Sequence, residues 1–102
     1  MSLKKQNLKS KPVCKVTFKL PGEAAPNAKI AHVVGDFNSW SETAHPMKKL
    51  KDGSFTTTVD LEQGREYQFR YLVDETSWEN DGEADRYVPS PYGNQENSVV
   101  VT

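Results

Sequence analysis

Two tryptophans stand in stretches of sequence that favour turns, where an indole is well placed to bind. Trp40 lies in Gly35-Asp36-Phe37-Asn38-Ser39-Trp40-Ser41-Glu42, and Trp78 in Asp74-Glu75-Thr76-Ser77-Trp78-Glu79-Asn80-Asp81. The small polar and acidic residues around both rings are turn formers. A large flat ring on a polar loop costs solubility unless something covers it. A partner protein, a nucleic-acid base or a sugar could do so. A sugar suits the indole well, because its axial C–H groups lie on the ring face while its hydroxyls reach polar neighbours. The competing assignment folds one ring back to plug the end of the domain, since Trp is highly buried on average.

A third candidate follows from strand parity. In Tyr67-Gln68-Phe69-Arg70-Tyr71-Leu72-Val73-Asp74, the aromatics and Val73 alternate with Gln68, Arg70 and Leu72. If the aromatics fill a core, Arg70 points out of the opposite side of the sheet. A guanidinium beside Trp rings can donate several hydrogen bonds to hydroxyl oxygens. The plainer alternative is a surface Arg without a partner.

The acids carry less. Asp74, Glu75, Glu79, Asp81, Glu83 and Asp85 follow one another with no basic residue between them. Glycoside hydrolysis needs two carboxylates across a cleft, with protonation states pushed apart. Acids on a solvated loop all stay ionised near neutral pH. The expectation is therefore a solvated acidic loop and no enzyme. Asp81-Gly82-Glu83-Ala84-Asp85 lacks the ligand spacing of a calcium-binding EF-hand loop. His32 and His45 are too isolated for zinc. No metal and no cofactor is implied.

Composition narrows the partners. Formal net charge is −1 across 102 residues, which gives no global field for nucleic acid or an anionic membrane. Lys4, Lys5, Lys9, Lys11, Lys15 and Lys19 precede the first acid, Glu23, and this uneven charge reads as a solvated basic tail running into the first strand. The single Cys14 excludes an intrachain disulfide. Cys14 alternates with Val16, Phe18 and Leu20, so it reads as core. The N-terminus has no apolar signal region and no run approaches membrane-spanning length. The expected location is cytoplasmic.

The elements that must position these residues read as β. Residues 1–11 are expected as a flexible basic tail and 12–102 as one domain. Cys14–Leu20, Ile30–Gly35, Met47–Lys51, Ser54–Leu61, Arg65–Asp74 and Ser98–Thr102 read as strands. Asp52-Gly53 reads as a two-residue hairpin turn and Gln63-Gly64 as another turn. The fold class is all-β: an immunoglobulin-like antiparallel β-sandwich of about seven to eight short strands. A small closed barrel is the alternative.

The order of these pieces resembles carbohydrate-binding module family 48. The resemblance is carried by Gly35–Trp40, the Asp52-Gly53 hairpin, Tyr67–Asp74, Trp78 and Asn97-Ser98-Val99-Val100, and it spans roughly residues 13–102. The family includes the isoamylase N-terminal early set domain and the glycogen-binding domain of AMP-activated protein kinase β subunits. Within it, the chain most resembles stand-alone bacterial isoamylase early set domain-containing proteins. The resemblance implies a non-catalytic module binding α-1,4-glucan, as glycogen, starch or maltooligosaccharide. Trp40 matches the Trp that ends a G-x-F-N-x-W motif, Arg70 matches a basic residue, and Trp78 matches a second Trp with one extra residue in the turn. Tyr92, Asn94 and Glu96 fall where a late loop supplies further contacts, although Pro91–Glu96 departs from the kinase-type loop. Asn97 aligns with a family Asn.

Two further expectations follow from the family. Its modules are usually joined to an amylase-type catalytic domain or a kinase subunit, so a glycogen-metabolising enzyme, here a separate polypeptide, is an expected partner. The alternative function is a protein–protein interaction module that kept the fold, lost sugar binding and docks on such an enzyme. A small hydrolase has only the number of carboxylates in its favour.

Overall fold

Alternation of apolar and polar residues produces strands where the sequence is most periodic, and short strands complete the sheets around them. The computed structural model describes residues 3–91 and 95–102. Nine strands among them form two antiparallel sheets packed as a sandwich. The first sheet runs in the order β1 (Leu3–Asn7), β2 (Val13–Leu20), β5 (Phe55–Glu62), β4 (Lys48–Lys49). The second runs β3 (Ala31–Gly35), β6 (Glu66–Val73), β9 (Glu96–Val101), β8 (Arg86–Pro89), and β7 (Ser77–Glu79) also pairs with β6. No helix among the described residues is long and apolar enough to cross a membrane.

The core lies between the sheets. β2 contributes Cys14, Val16, Phe18 and Leu20, β5 contributes Phe55, Val59 and Leu61, and β6 contributes Phe69, Tyr71 and Val73. Phe18 and Phe69 meet edge to face with centroids 4.9 Å apart, which joins the two sheets at their centre.

The N-terminal stretch differs from the expected tail. Leu3–Asn7 pairs antiparallel with β2, and Leu3, opposite Phe18, is buried in the core. Lys5 crosses to the second sheet and pairs with Asp85 at 2.6 Å. The ladder on β2, one buried leucine and one ion pair seat a strand whose other residues are polar. That is why periodicity did not reveal it.

The hairpin at Asp52-Gly53 also differs. Leu50 and Ser54 are joined by a backbone bond, so the loop is the three residues Lys51, Asp52 and Gly53, with Gly53 at φ +88°. The Asp52 carboxylate accepts from the Ser54 hydroxyl and amide, which holds its pKa below the usual value. The β6–β7 turn places Asp74 and Glu75 both at positive φ, the geometry whose twist suits a tight hairpin.

The acidic stretch is only partly solvated. Asp81 is 2% exposed, and its carboxylate accepts from the Tyr71 hydroxyl at 2.6 Å and the Glu83 amide at 2.8 Å. Burial, followed by the Asp81 charge, pushes the Tyr71 phenol far above its ordinary pKa. Asp85 joins Lys5 to the Val101 amide. These acids are structural ties, because a buried tyrosine hydroxyl and a strand amide each required an acceptor.

Two expected outcomes follow. A Cβ on Gly35 would stand 2.5 Å from the Gln68 carbonyl oxygen and 2.8 Å from Phe69 Cβ. Gly35→Ala should therefore destabilise the domain by about 1–3 kcal/mol in urea unfolding. Backbone amides of Ile30 and Lys29 hold the Asp74 carboxyl below its ordinary pKa of 3.8. The folded carboxyl titrates below the unfolded one, so its contribution is present above that value and is lost as pH falls through the folded one. The urea midpoint should therefore fall as pH is lowered below 3.8, and Asp74→Asn should flatten that fall.

Candidate functional site

The loop after β3 is built by its own motif. Gly35 lets β3 lie close against Phe69 of β6, its strand partner. Phe37 turns inward and packs against Phe18, with ring centroids 5.4 Å apart. Asn38 locks the loop: its Oδ1 accepts from the Gly35 amide, and its Nδ2 donates to the Val33 carbonyl. Those two bonds fix the amide's direction, so Nδ2 also donates to His45 Nδ1, at 2.9 Å. Ser39 and Trp40 both lie in the left-handed region, at φ +56° and +57°. Each such residue costs of order 1 kcal/mol, and the surrounding bonds must hold it there. Two of these bonds act on Trp40 itself. Its amide donates to the Gly35 carbonyl, and its indole Nε1 donates to Asp36 Oδ1 at 2.8 Å.

β6, β7 and β9 supply the rest. Arg70 and Gln68 lie on the outer side of β6, opposite the core-facing Phe69 and Tyr71. Arg70 is only 9% exposed, so it forms part of a floor instead of projecting into solvent. Its Nε donates to Asn97 Oδ1 at 2.6 Å and its Nη1 to Gln95 Oε1 at 2.5 Å. Arginine only donates, so Asn97 turns its oxygen to Arg70 and its Nδ2 to Gln68 Oε1, at 2.9 Å. Gln68 and Gln95 both accept through Oε1, so their amide nitrogens face away from these bonds. Among the described residues both of Arg70's partners are neutral amides, and these two contacts use two of its five N–H donors.

Trp78 was expected on a loop, but it sits in β7 opposite Leu72 of β6. Cross-strand partners share a face, so this pairing sets the indole on the same outer side as Arg70. It is 41% exposed.

Trp40, Arg70 and Trp78 line one cleft of about 710 Å³. Asp36, Gln95 and Asn97 line it with them. The remaining sequence candidates are Glu96, Tyr92 and Asn94. Glu96 is the first residue of β9, paired with Pro89, and it does not line this cleft; its backbone carbonyl accepts from Asn80 Nδ2. Tyr92 and Asn94 lie outside the described residues. Sequence reasoning missed Asp36 and Gln95 as cleft residues. Amides and single acids carry no periodic signal, and only the register of β6 with β9 brings the amides to Arg70.

The arrangement offers flat apolar surface, a buried cation and amides around it. Volumes of this size accept small-molecule ligands, and rings with a few polar groups fix their orientation. Among the described residues no group of three or more His, Cys, Asp or Glu side chains could hold a metal ion.

Comparison with known proteins gives the cleft its context. The family model for carbohydrate-binding module 48 (isoamylase N-terminal domain) matches residues 14–93. The 1,4-alpha-glucan branching enzyme GlgB of Photobacterium profundum is 46% identical over 46 residues, which are 44% of this chain and 6% of that enzyme. The 1,4-alpha-glucan-branching enzyme of Saccharomyces cerevisiae is 43% identical over 60 residues, covering 57% of this chain and 8% of that protein. The corresponding enzyme of Butyrivibrio fibrisolvens is 61% identical over 33 residues, 32% of this chain and 5% of that one. The similarity to these enzymes thus covers only a small part of their length. The family match covers both the loop that carries Trp40 and the strands that carry Arg70 and Trp78. With that extent and a sandwich fold, the chain belongs to carbohydrate-binding module family 48, the isoamylase N-terminal domain family.

Proposed function

We propose that this chain is a non-catalytic module that holds α-1,4-glucan in the cleft between Trp40 and Trp78. The observation that carries this reading is that two indoles and the Arg70 guanidinium line the same open concavity. Trp40 and Trp78 stack on glucose rings, and Arg70 donates to hydroxyl or ring oxygens. Gln68 and Gln95 turn amide nitrogens away from the network and can add donors. The ligand is glycogen, starch or a maltooligosaccharide. The branching-enzyme relatives carry 1,4-alpha-glucan in their names, which fits this ligand. In this reading the module serves a glycogen-metabolising or amylase-type enzyme in the cytoplasm by holding polymer near it.

Binding is expected to be weak. An open cleft leaves many sugar hydroxyls in water, so the dissociation constant should lie roughly between 10 μM and 1 mM. In an amide and indole NMR titration, maltoheptaose should move Trp40, Trp78 and Arg70, while the flat β-1,4 chain of cellohexaose should not. If saturating maltoheptaose leaves all three unmoved, the reading as a docking module without sugar replaces this one.

Mutation separates binding from folding. Trp40→Ala and Trp78→Ala should each weaken maltoheptaose binding while the protein stays folded. Covering about 80 Å² of indole contributes on the order of 2 kcal/mol. Phe69→Ala, by contrast, opens a cavity at the meeting point of the sheets and should cost about 3–5 kcal/mol of stability. Thermal melts by circular dichroism distinguish the two outcomes. A Trp variant that melts as low as Phe69→Ala would belong to the core.

A further inference from the structure

We infer that Asp36 is the positioning residue of the cleft, the group that sets the angle at which Trp40 meets the ligand. The inference rests on the glucan reading above and adds a residue to it.

The geometry is specific. One carboxylate oxygen of Asp36 accepts from the Trp40 indole Nε1 at 2.8 Å, and the other accepts from the Gln68 backbone amide at 2.9 Å. A single acid therefore ties the indole on the loop to β6, the strand that carries Arg70. Trp40 needs such a tie. It follows Ser39 in the left-handed region, so its backbone is held in a sparsely populated conformation. An indole has one polar atom, and bonding that atom limits rotation of the ring about its own side-chain bonds. The ring is then pre-oriented before sugar arrives, and less ordering remains to be done on binding.

Other residue types cannot reproduce this. Two N–H donors converge on Asp36, so the position needs two acceptor atoms. An ionised carboxylate has them and bonds more strongly through its charge. An asparagine has one acceptor and would set its NH2 against a second N–H. The Gln68 amide needs this acceptor because β3 pairs with β6 only as far as Gly35 opposite Phe69, one residue short of Gln68.

The test uses the full chain. Trp40→Phe identifies the two indole resonances, because it removes the Trp40 N–H and keeps a ring. Asp36→Ala should shift the Trp40 indole resonance and speed its exchange with solvent, leaving the Trp78 indole in place. It should weaken maltoheptaose binding roughly three- to tenfold. In a Trp40→Phe background the same substitution should have much less effect, because the two residues act as a pair. Should Asp36→Ala fail to fold, Asp36→Asn serves in its place. With one acceptor lost it should show the same pattern with a smaller loss. Binding as tight as wild type in the folded variant, or an equal loss in the Trp40→Phe background, overturns the inference and leaves the glucan reading standing. A wild-type chain that ignores maltoheptaose overturns both.

Discussion

Strand β6 is paired along both edges, with β3 on one side and β9 then β7 on the other. Both its faces are therefore assigned at once. Phe69, Tyr71 and Val73 must face the core, because the sandwich closes on Phe18. Gln68 and Arg70 must then face away from it. A slip of one residue would turn the guanidinium into the apolar core and the rings out of it, so stability and cleft composition are set by the same register. The cleft depends on this register directly. Gln95 and Asn97 reach Arg70 through the β6–β9 side, Trp78 through the β7 pairing, and Trp40 through Asp36 on the Gln68 amide.

The loop from Gly35 to Trp40 carries out two tasks with adjacent residues. Phe37 enters the core, and Trp40 leaves it three residues later. A chain that reverses direction so quickly needs unusual backbone angles, supplied at Ser39 and Trp40. Asn38 and Asp36 hold those angles with bonds to β3 and β6. The cost of holding a tryptophan in a left-handed conformation is offset by bonds that a regular turn would not make.

The legible parts of this protein were those with period two. β2, β5 and β6 could be read from their own residues, and Arg70 was placed on the outer face by parity alone. Trp40 and Trp78 were singled out by an imbalance between ring size and polar surroundings, and all three line one cleft. What escaped was whatever depends on a distant partner. β1 is polar except for Leu3, whose place is opposite Phe18. β7 and β8 are too short to show a pattern and exist as ladders on β6 and β9. Asp81 looks like its acidic neighbours, yet Tyr71, ten residues earlier, takes it into the interior. Asp36 and Gln95 likewise gain their meaning only from β6, which lies far from both in the sequence.

Cys14 gives the molecule a built-in clock. It is the single thiol, buried on the inner face of β2, with Asn7 of β1 on one side and Leu61 of β5 on the other. A thiol reagent can reach it only when the chain opens locally or unfolds as a whole. If its labelling rate follows global stability, the N-terminal strand is part of the cooperative unit. If labelling is faster than global unfolding allows, β1 peels away by itself, against its ladder on β2, the burial of Leu3 and the Lys5–Asp85 pair. One residue with no part in the cleft thus reports, in units of time, how firmly the first strand is fastened to the rest.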